Sequence, residues 1–237
     1  MNILMTIDVG NTNISLGLMQ GNEVIGSFRL TTKTPRTSDE FGLCIKELLD
    51  MTKLQEDDIE AVIISSVVPK IMYSLTSAIV KFLHKDPIIV GPGIKTGISI
   101  RTDNPREVGA DRIVDISMAY HTYHKSCIIV DFGTATTFDY ISGDGVFKYT
   151  VIAPGLGIVA NALTSQTAKL PEIEIQKPES ILNGNTITGM QAGVIYGYIG
   201  SVEYIIKQMK KELKLKDCLV IATGGLGKVI AKETKEI

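Results

Sequence analysis

The sequence predicts an α/β fold made of two related lobes, because one pattern of strands and turns occurs twice along the chain. In each half, three short apolar strands follow one another with turns rich in Gly, Asn and Asp, which is typical of an antiparallel meander. The predicted strands cover residues 3–9, 14–19 and 23–30 in the first half and 127–132, 135–141 and 146–152 in the second. Helices and further buried strands follow each meander, and we predict two domains, 1–117 and 118–237.

The first half continues with two helices and two more strands. A helix begins at Ser38, a residue type that caps helices, with Glu40 in its first turn and apolar residues at core-facing spacing. A buried strand over 61–68 precedes a helix opened by Pro69, because proline is favoured in the first helical turn. A short strand over 88–90 completes this half.

The second half adds three helices and a final strand to its meander. A helix begins between the halves, where Pro105 suits a first turn and the residues from Ala110 onward form a buried stripe. Two further helices are predicted over 157–167 and 186–213, and an apolar strand over 218–222 enters a glycine-rich turn.

The two meanders also match in register. Asp131 lies 123 positions after Asp8, and the glycine two residues beyond each aspartate keeps the same offset. In the next turn, Gly143 lies 122 positions after Gly21. One Asp-x-Gly turn is common, but agreement of two turns and of the strands between them favours an internal repeat produced by gene duplication.

Composition and charge exclude several classes of protein. With 44% hydrophobic and 21% charged residues among 237, the chain has the composition of a folded globular enzyme and not of a disordered protein. A net charge of −2 gives no basic surface for nucleic acid or for an anionic membrane. The first residues have no features of an export signal, and three widely spaced cysteines indicate reduced thiols. We therefore predict a cytoplasmic protein with no nucleic-acid and no membrane partner.

The two Asp-x-Gly turns have the composition of phosphate-binding sites. Residues 8–13 read Asp-Val-Gly-Asn-Thr-Asn, and residues 131–137 read Asp-Phe-Gly-Thr-Ala-Thr-Thr. Glycine lets backbone N–H groups approach an anion, hydroxyl and amide side chains add donors, and the aspartate can hold a metal ion. A single copy is more often a plain hairpin, whereas two copies facing each other could hold the phosphates of ATP with a cation between them.

A third glycine-rich element, residues 223–227, follows a buried strand and opens a helix, where a nucleotide base and ribose could lie against the backbone. Together with the repeated meander, it predicts a duplicated ribonuclease H-like fold, that of the actin and sugar-kinase superfamily, with ATP in a cleft between the two lobes. A rival dinucleotide-binding pattern at 155–160 lacks the βαβ unit that such a site needs, so we interpret it as a turn before a helix.

A charged helix start between the lobes is a candidate substrate site. Asp111 and Asp115 lie four residues apart on one helix face, so repulsion between them, if both were buried, would favour one carboxylate that accepts a proton from a hydroxyl. Arg112 offers a forked cation for a carboxylate or a phosphate. Gly109 and Ala110 beside these charges favour close approach of a small molecule over a merely exposed helix start.

With these residues assembled, the sequence resembles the type III pantothenate kinase family over its whole length. The likeness is carried by six segments, at residues 7–13, 65–69, 103–112, 131–136, 153–155 and 222–225. The resemblance implies ATP-dependent phosphorylation of the primary hydroxyl of pantothenate to 4′-phosphopantothenate, the first step of coenzyme A biosynthesis. It also implies a homodimer and, as cofactors, ATP, Mg²⁺ and a monovalent cation, K⁺ or NH₄⁺.

The resemblance also implies roles by position. Asp111 would be the catalytic proton acceptor, and Asp8 and Asp131 would hold metal ions. ATP would be bound by Asp8, Val9, Gly10, Asn11, Thr12, Asn13, Ile14, Ser15 and Thr134. Pantothenate would be bound by Thr102, Gly109, Ala110, Asp111, Arg112 and Thr186. Thr102 stands where many relatives have a tyrosine, and relatives continue for roughly another helix beyond the position of Ile237.

Two other functions stay open from the sequence. One is a non-catalytic regulator on the same fold, and the other is a kinase or phosphatase of the same superfamily that acts on another metabolite. A regulator is expected to have lost at least one of Asp8, Asp111 and Asp131, and all three are present, which favours the enzyme. A screen of substrates would distinguish the second alternative.

Overall fold

The computed structural model describes residues 2–91 and 93–237, except for the side chains of Lys228 and Val229. The chain divides into two compact units. Unit 1 comprises Met1–Thr96 and Asn104–Val114, and unit 2 comprises Gly97–Asp103 and Asp115–Ile237. Among the residues that the structure describes, no helix is both long and apolar enough to cross a membrane.

Unit 1 is built on a mixed five-stranded sheet. Its strands are β1 (Ile3–Val9), β2 (Asn13–Gln20), β3 (Glu23–Thr31), β4 (Ile59–Ser66) and β5 (Ile88–Ile89), in the order β3-β2-β1-β4-β5. The β1–β2 and β2–β3 pairs are antiparallel, whereas β4 runs parallel to both β1 and β5. Every second residue of β1 is buried, because successive side chains of a strand point to opposite faces of the sheet.

Two helices cover the apolar face of this sheet. Helix α1 (Ser38–Thr52) buries Phe41, Ile45 and Leu49, and helix α2 (Pro69–Leu83) buries Leu75 and Ile79. These residues form one cluster with the buried side chains of β1, β2 and β4. The i, i+4 spacing on each helix matches the stripe expected of a helix that packs against a sheet. This packing leaves the opposite face of the sheet, which carries Asp8, outside the core.

Unit 2 contains a second five-stranded sheet. Its strands are β6 (Ser99–Ile100), β7 (Cys127–Phe132), β8 (Ala135–Ile141), β9 (Val146–Pro154) and β10 (Leu219–Thr223), in the order β10-β7-β8-β9-β6. The helices of the second half are α3 (Ala110–Tyr123), α4 (Leu156–Ser165), α5 (Thr186–Glu212) and α6 (Gly227–Ala231). Residues of α4 and α5 form the core of unit 2 with β7, β8 and β10. The three cysteines are free, and burial raises the pKa of Cys218 to about 11, which keeps this thiol protonated at neutral pH.

The two sheets repeat one topology. In unit 1 the first strand lies between an antiparallel and a parallel neighbour, and β7 has the same two neighbours in β8 and β10. Only the fifth strand differs, because β5 extends the sheet beside β4 whereas β6 extends it beside β9. The turn after β7 contains two residues and the turn after β1 contains three, so the offset between the repeats falls from 123 to 122 at this point.

Two expected helix starts differ from the structure. Ser38, the predicted capping residue, is instead the first residue of α1, and the N-cap is Thr37, whose side chain accepts a hydrogen bond from the Glu40 N–H. Both residue types cap helices, and Thr37 is the one that stands three residues before a glutamate and so completes a capping box. Pro105 begins a separate short 3₁₀ turn, Pro105–Glu107, and α3 starts only at Ala110.

Removing the Thr37 cap is expected to destabilise unit 1. The Thr37 hydroxyl and the Glu40 carboxylate satisfy each other's backbone N–H groups at 3.3 and 2.7 Å, and α1 carries part of the core. We expect Thr37→Ala to lower the free energy of unfolding by about 1 kcal/mol in a urea titration. Thr34→Ala is the matched control, because the hydrogen bond of Thr34 found among the described residues uses its backbone carbonyl and not its side chain. Equal effects of the two substitutions would contradict this assignment.

Candidate active site

The turn between β1 and β2 is held in place by a residue that the sequence analysis missed. The Gly10 N–H donates to the Asn13 carbonyl at 3.0 Å, which closes the turn on itself. Thr32, just beyond β3, fixes the turn from outside: its N–H donates to the Thr12 carbonyl at 3.0 Å and its hydroxyl to the Gly10 carbonyl at 2.7 Å. A Cβ at Gly10 would lie 3.3 Å from the Asn13 carbonyl oxygen, so a larger residue would crowd the turn.

Asp8 precedes this turn and lies between two serine residues on the neighbouring strands. Its cross-strand partners are Ser15 on β2 and Ser65 on β4. Asp8 is exposed at its surface, yet the protein atoms around it displace enough water to raise the pKa of its carboxyl. The Ser65 hydroxyl acts in the opposite direction and lowers this pKa, whereas the negative charge of Asp111 raises it further.

Asp111 is brought towards Asp8 by the start of α3. Its Oδ1 accepts a hydrogen bond from the Arg112 N–H at 2.7 Å, which fixes the carboxylate against the first turn of the helix. A Cβ at Gly109 would lie 2.5 Å from this Oδ1 and 3.4 Å from a methyl group of Val67. Glycine at position 109 therefore makes room for the carboxylate. Repulsion between Asp111 and Asp115 stays a prediction, whereas the structure shows that the charge of Asp111 acts on Asp8.

Asp131 has the same position on its strand in unit 2 as Asp8 has in unit 1. It is the last residue but one of β7, and its cross-strand partners are Thr137 on β8 and Thr223 on β10. Each aspartate of the repeat therefore lies between two hydroxyl residues. The turn that follows contains Gly133 and Thr134, and a Cβ at Gly133 would lie 3.2 Å from Oδ2 of Asp131.

Two glycine-rich segments pack directly against this second turn. The Gly155 N–H donates to the Thr134 carbonyl at 3.2 Å, and a Cβ at Gly155 would lie 2.2 Å from the same oxygen. Gly224 has a φ of +86°, and its Cβ would lie 2.4 Å from Oδ1 of Asp131. Gly155 therefore allows a close approach to the backbone of the Gly133-Thr134 turn, and Gly224 allows a close approach to the Asp131 side chain.

A buried tyrosine on α5 is near enough to Asp131 to be affected by its charge. The Tyr198 hydroxyl makes a hydrogen bond with the buried Thr136 side chain, next to Thr137 on β8. Burial raises the pKa of Tyr198, and the nearby charge of Asp131 raises it further. Tyr198 is therefore a neutral hydrogen-bonding group at neutral pH, and it was not among the residues that the sequence indicated.

The expected pantothenate-binding residues are divided between the two units. Residues 109–112 lie in unit 1, whereas Thr102 and Thr186 lie in unit 2. Thr186 is the exposed first residue of α5, and the Thr102 hydroxyl is buried and has no hydrogen-bond partner among the residues that the structure describes. A polar pocket of about 480 Å³ in unit 2 is lined by residues of 176–191, and none of the expected site residues lines it.

A comparison with protein families identifies the family of the chain that contains these turns. The family model described as "Type III pantothenate kinase" matches residues 4–208. The chain belongs to the type III pantothenate kinase family. Members of this family phosphorylate pantothenate with ATP, which is the first step of coenzyme A biosynthesis, and this is the activity of the chain. The predictions of family, enzyme class and reaction are confirmed.

Relatives named as type III pantothenate kinases are similar to nearly the whole chain. A type III pantothenate kinase from Agathobacter rectalis is 50% identical over 235 residues, covering 99% of this chain and 90% of the relative. A type III pantothenate kinase from Bifidobacterium longum subsp. infantis is 46% identical over 235 residues, covering 99% of this chain and 92% of the relative.

Solved structures with little sequence similarity have the same fold. A structure described as a Baf family transcriptional activator from Campylobacter jejuni has a TM-score of 0.59 at 18% identity, over 98% of this chain and 88% of that one. Component A of (R)-2-hydroxyglutaryl-CoA dehydratase from Acidaminococcus fermentans has a TM-score of 0.51 at 14% identity, over 98% and 88% of the two chains. Together with the repeated sheet topology, these likenesses confirm the predicted duplicated ribonuclease H-like fold.

The residues of the pantothenate kinase fit a phosphate group with its cations. Among the described residues there is no group of three His, Cys, Asp or Glu side chains that could hold a metal ion alone. Mg²⁺ in phosphoryl-transfer enzymes needs only one or two carboxylates, since phosphate oxygens and water complete its shell. Asp8 and Asp131 each supply one carboxylate beside a glycine turn. Each also has a buried hydroxyl on a neighbouring strand, from Ser65 or Thr137, that has no hydrogen-bond partner in the part of the chain that the structure describes.

Substitution of Gly224 is expected to disturb the environment of Asp131. A methyl group there would meet Oδ1 of Asp131 at 2.4 Å and the Phe132 backbone nitrogen at 2.7 Å, in a left-handed conformation that alanine disfavours. We expect Gly224→Ala to lower the free energy of unfolding by about 1–3 kcal/mol in denaturant titrations. The neighbouring Gly225 has open space around it, so Gly225→Ala is the control and should change the value by less than about 0.5 kcal/mol. A Gly224→Ala protein as stable as the control would refute the close packing described.

Proposed function

We propose that this chain transfers the γ-phosphoryl group of ATP to the primary hydroxyl of pantothenate with Asp111 as the proton acceptor. The observation that carries the proposal is the approach of Asp111 to Asp8, which brings a carboxylate on a helix start towards the end of the strand that leads into the Gly10 turn. Phosphoryl transfer to an alcohol needs the hydroxyl positioned beside the γ-phosphate and a residue that accepts its proton. A carboxylate near a phosphate-binding turn meets both needs.

The assignment of atoms follows from the hydrogen bond at Asp111. Its Oδ1 is held by the Arg112 N–H, so we assign Oδ2 as the atom that takes the hydroxyl proton. The hydroxyl oxygen then forms a bond to the γ-phosphorus, and the bond from that phosphorus to the bridging oxygen breaks, which releases ADP. A positioned base of this kind contributes about 10²- to 10⁴-fold to the rate.

We assign the phosphates of ATP to the two repeated turns. The proposed ATP-binding residues of unit 1 are Asp8, Val9, Gly10, Asn11, Thr12, Asn13, Ile14 and Ser15, and that of unit 2 is Thr134. The backbone N–H groups of such turns, together with the Thr and Asn side chains, are donors suited to phosphate oxygens. Thr32 supports this role indirectly, because it fixes the Gly10 carbonyl and so the direction of the turn.

We also propose Asp8 and Asp131 as the residues that hold cations. When bound, Mg²⁺ neutralises the charge of the phosphate oxygens during transfer, and a monovalent cation, K⁺ or NH₄⁺, would lie near Asp131. The Asp8 carboxyl is suited to this role because partial loss of water around it and, to a smaller extent, the charge of Asp111 disfavour its ionised form, and a cation would offset both effects.

On the substrate side, we propose that residues 109–112 with Thr102 and Thr186 bind pantothenate. The Arg112 guanidinium has the geometry to pair with the carboxylate of pantothenate, and the small Gly109 and Ala110 allow close approach. The buried Thr102 hydroxyl, which has no partner among the described residues, is proposed as a donor to the ligand, although threonine is smaller than the tyrosine that many relatives have. The proposal includes a homodimer that acts in the cytoplasm.

A coupled assay of ADP release tests this function directly. We expect release that depends on pantothenate, requires Mg²⁺ and increases when Na⁺ is replaced by K⁺ or NH₄⁺. The phosphorylated product should be identified by its mass. Release of ADP at the same rate without pantothenate, or only with another metabolite, would overturn the proposed substrate. Equal rates in Na⁺ and K⁺ would overturn the monovalent site alone.

A further inference from the structure

The hydroxyl of Ser65 is buried and has no hydrogen-bond partner within residues 2–91 and 93–237. The residue is 6% exposed, and among the described residues its Oγ has no hydrogen bond of ordinary geometry. A buried hydroxyl in this state costs free energy that a serine-to-alanine change would recover, so its presence calls for an explanation outside the stability of the fold. Ser66, its neighbour on β4, contrasts with it, because the Ser66 hydroxyl accepts a hydrogen bond from the Val68 N–H at 3.1 Å.

The strand register places Ser65 beside Asp8. On β4, Ile64 pairs with Ile7 on the core face of the sheet, and the next pair, Ser65 with Asp8, lies on the opposite face. The Ser65 hydroxyl is near enough to lower the pKa of the Asp8 carboxyl, although the two groups do not meet the geometry of a hydrogen bond. The hydroxyl is therefore within reach of the carboxylate and is not committed to another group.

In the second repeat, too, a buried hydroxyl lies beside the aspartate. Three buried side-chain hydroxyls have no partner in the described part of the chain, those of Ser65, Thr102 and Thr137. Ser65 is a cross-strand neighbour of Asp8 and Thr137 of Asp131, on different strands of the two sheets. Ser65 is on the parallel neighbour of β1, whereas Thr137 is on the antiparallel neighbour of β7. The two positions are therefore not equivalent in the repeat, and the duplication alone does not explain why both aspartates have such a hydroxyl. An uncommitted hydroxyl accompanies the aspartate in each unit.

We propose that Ser65 is a positioning residue of the phosphoryl-transfer site, whose hydroxyl donates to the Asp8 carboxylate and orients it when ATP and its cation are bound. In the unliganded protein the Ser65 hydroxyl then makes no hydrogen bond to a described residue, which lowers the stability of the fold. It would donate to Asp8 only when the Asp8 side chain turns towards its ligands. The inference depends on the proposed role of Asp8, and it assigns a function to a residue on β4 that touches neither substrate.

Three variants test the inference. Ser65→Ala removes the hydroxyl, Ser65→Thr keeps it, and Ser66→Ala removes a hydroxyl that is already satisfied on the other face of the same strand. For each variant we would measure kcat and KM for ATP, the affinity for a non-hydrolysable ATP analogue with Mg²⁺ by titration calorimetry, and the Tm of the unliganded protein. The calorimetric and thermal measurements do not depend on turnover.

We expect Ser65→Ala to reduce kcat/KM for ATP and the analogue affinity by about tenfold, which is the value of a hydrogen bond to a charged group. Its Tm should equal or exceed that of the wild type, and Ser65→Thr should restore most of the affinity. Ser66→Ala should lower the Tm and leave kcat/KM within about twofold of the wild type.

Two results would overturn the inference. Wild-type affinity and kcat/KM in Ser65→Ala would show that the hydroxyl serves no ligand. A fall in Tm that accompanies the loss of affinity in Ser65→Ala, with no rescue by Ser65→Thr, would show that its role is structural. If the wild-type protein itself released no ADP with pantothenate, the proposed function would fail, and the analogue affinities would still decide the role of Ser65.

Discussion

Replacing Asp111 by asparagine is expected to remove most of the turnover and little else. Asparagine keeps an oxygen that can accept the Arg112 N–H hydrogen bond, so the start of α3 and the space at Gly109 should be preserved. It cannot accept the hydroxyl proton, and we expect kcat to fall by about 10²- to 10⁴-fold. The coupled ADP-release assay gives the rate, and calorimetry with the ATP analogue should give an affinity within about threefold of the wild type.

A matched substitution separates this effect from a general loss of negative charge. Asp115 lies one turn further along α3, so Asp115→Asn removes the same charge from the same helix. If both variants lost activity equally, or if Asp111→Asn retained near-normal turnover, Asp111 would not be the proton acceptor.

Asp8→Asn is expected to abolish activity and at the same time stabilise the unliganded protein. The pKa of Asp8 is raised by burial first and by the charge of Asp111, so its ionised form is less favourable in the folded chain than in the unfolded one. Because Asp8 remains exposed and is screened by solvent, we expect a gain in Tm of only roughly 1–2 °C at pH 7. Activity should fall by about 10²-fold or more, since the variant loses the carboxylate proposed to hold a cation.

The pH dependence of this gain in Tm follows from the raised pKa of Asp8 in the folded protein. Below the ordinary carboxyl pKa of 3.8, Asp8 is neutral in both states, and the wild type and Asp8→Asn should have the same Tm. As the pH rises through the raised pKa of the folded state, the wild type loses stability and the variant does not. Thermal unfolding in metal-free buffer from pH 3.5 to 7 measures the difference. A lower Tm for Asp8→Asn at pH 7, or a difference that grows towards low pH, would contradict the account.

The parts of the fold that sequence could predict are those with local signals. The two meanders and the equivalence of Asp8 and Asp131 followed from alternating apolar residues and from turn composition. The boundary errors have equally local causes. Thr37 and Ser38 are adjacent residues of the same capping type, and only the capping-box hydrogen bonds distinguish them.

The parts of the site that sequence could not predict depend on contacts between distant segments. Thr32 fixes the Gly10 turn only because β3 returns beside it, and nothing in the neighbourhood of Thr32 in the sequence indicates this. Asp8 and Asp111 come near each other although they belong to the first and the last sequence segments of unit 1. Ser65 becomes the neighbour of Asp8 through the parallel register of β4, which strand prediction from local pattern does not give.

The proposed transfer centre of unit 1 can be tested most directly by a crystal structure with pantothenate, Mg²⁺ and the non-hydrolysable ATP analogue. We expect the γ-phosphate to lie against the backbone N–H groups of the Gly10 turn. The primary hydroxyl of pantothenate should lie about 2.6–3.2 Å from a carboxylate oxygen of Asp111. A complex with the hydroxyl beyond that reach and hydrogen-bonded to a different base, or with phosphates that avoid residues 8–15, would contradict it.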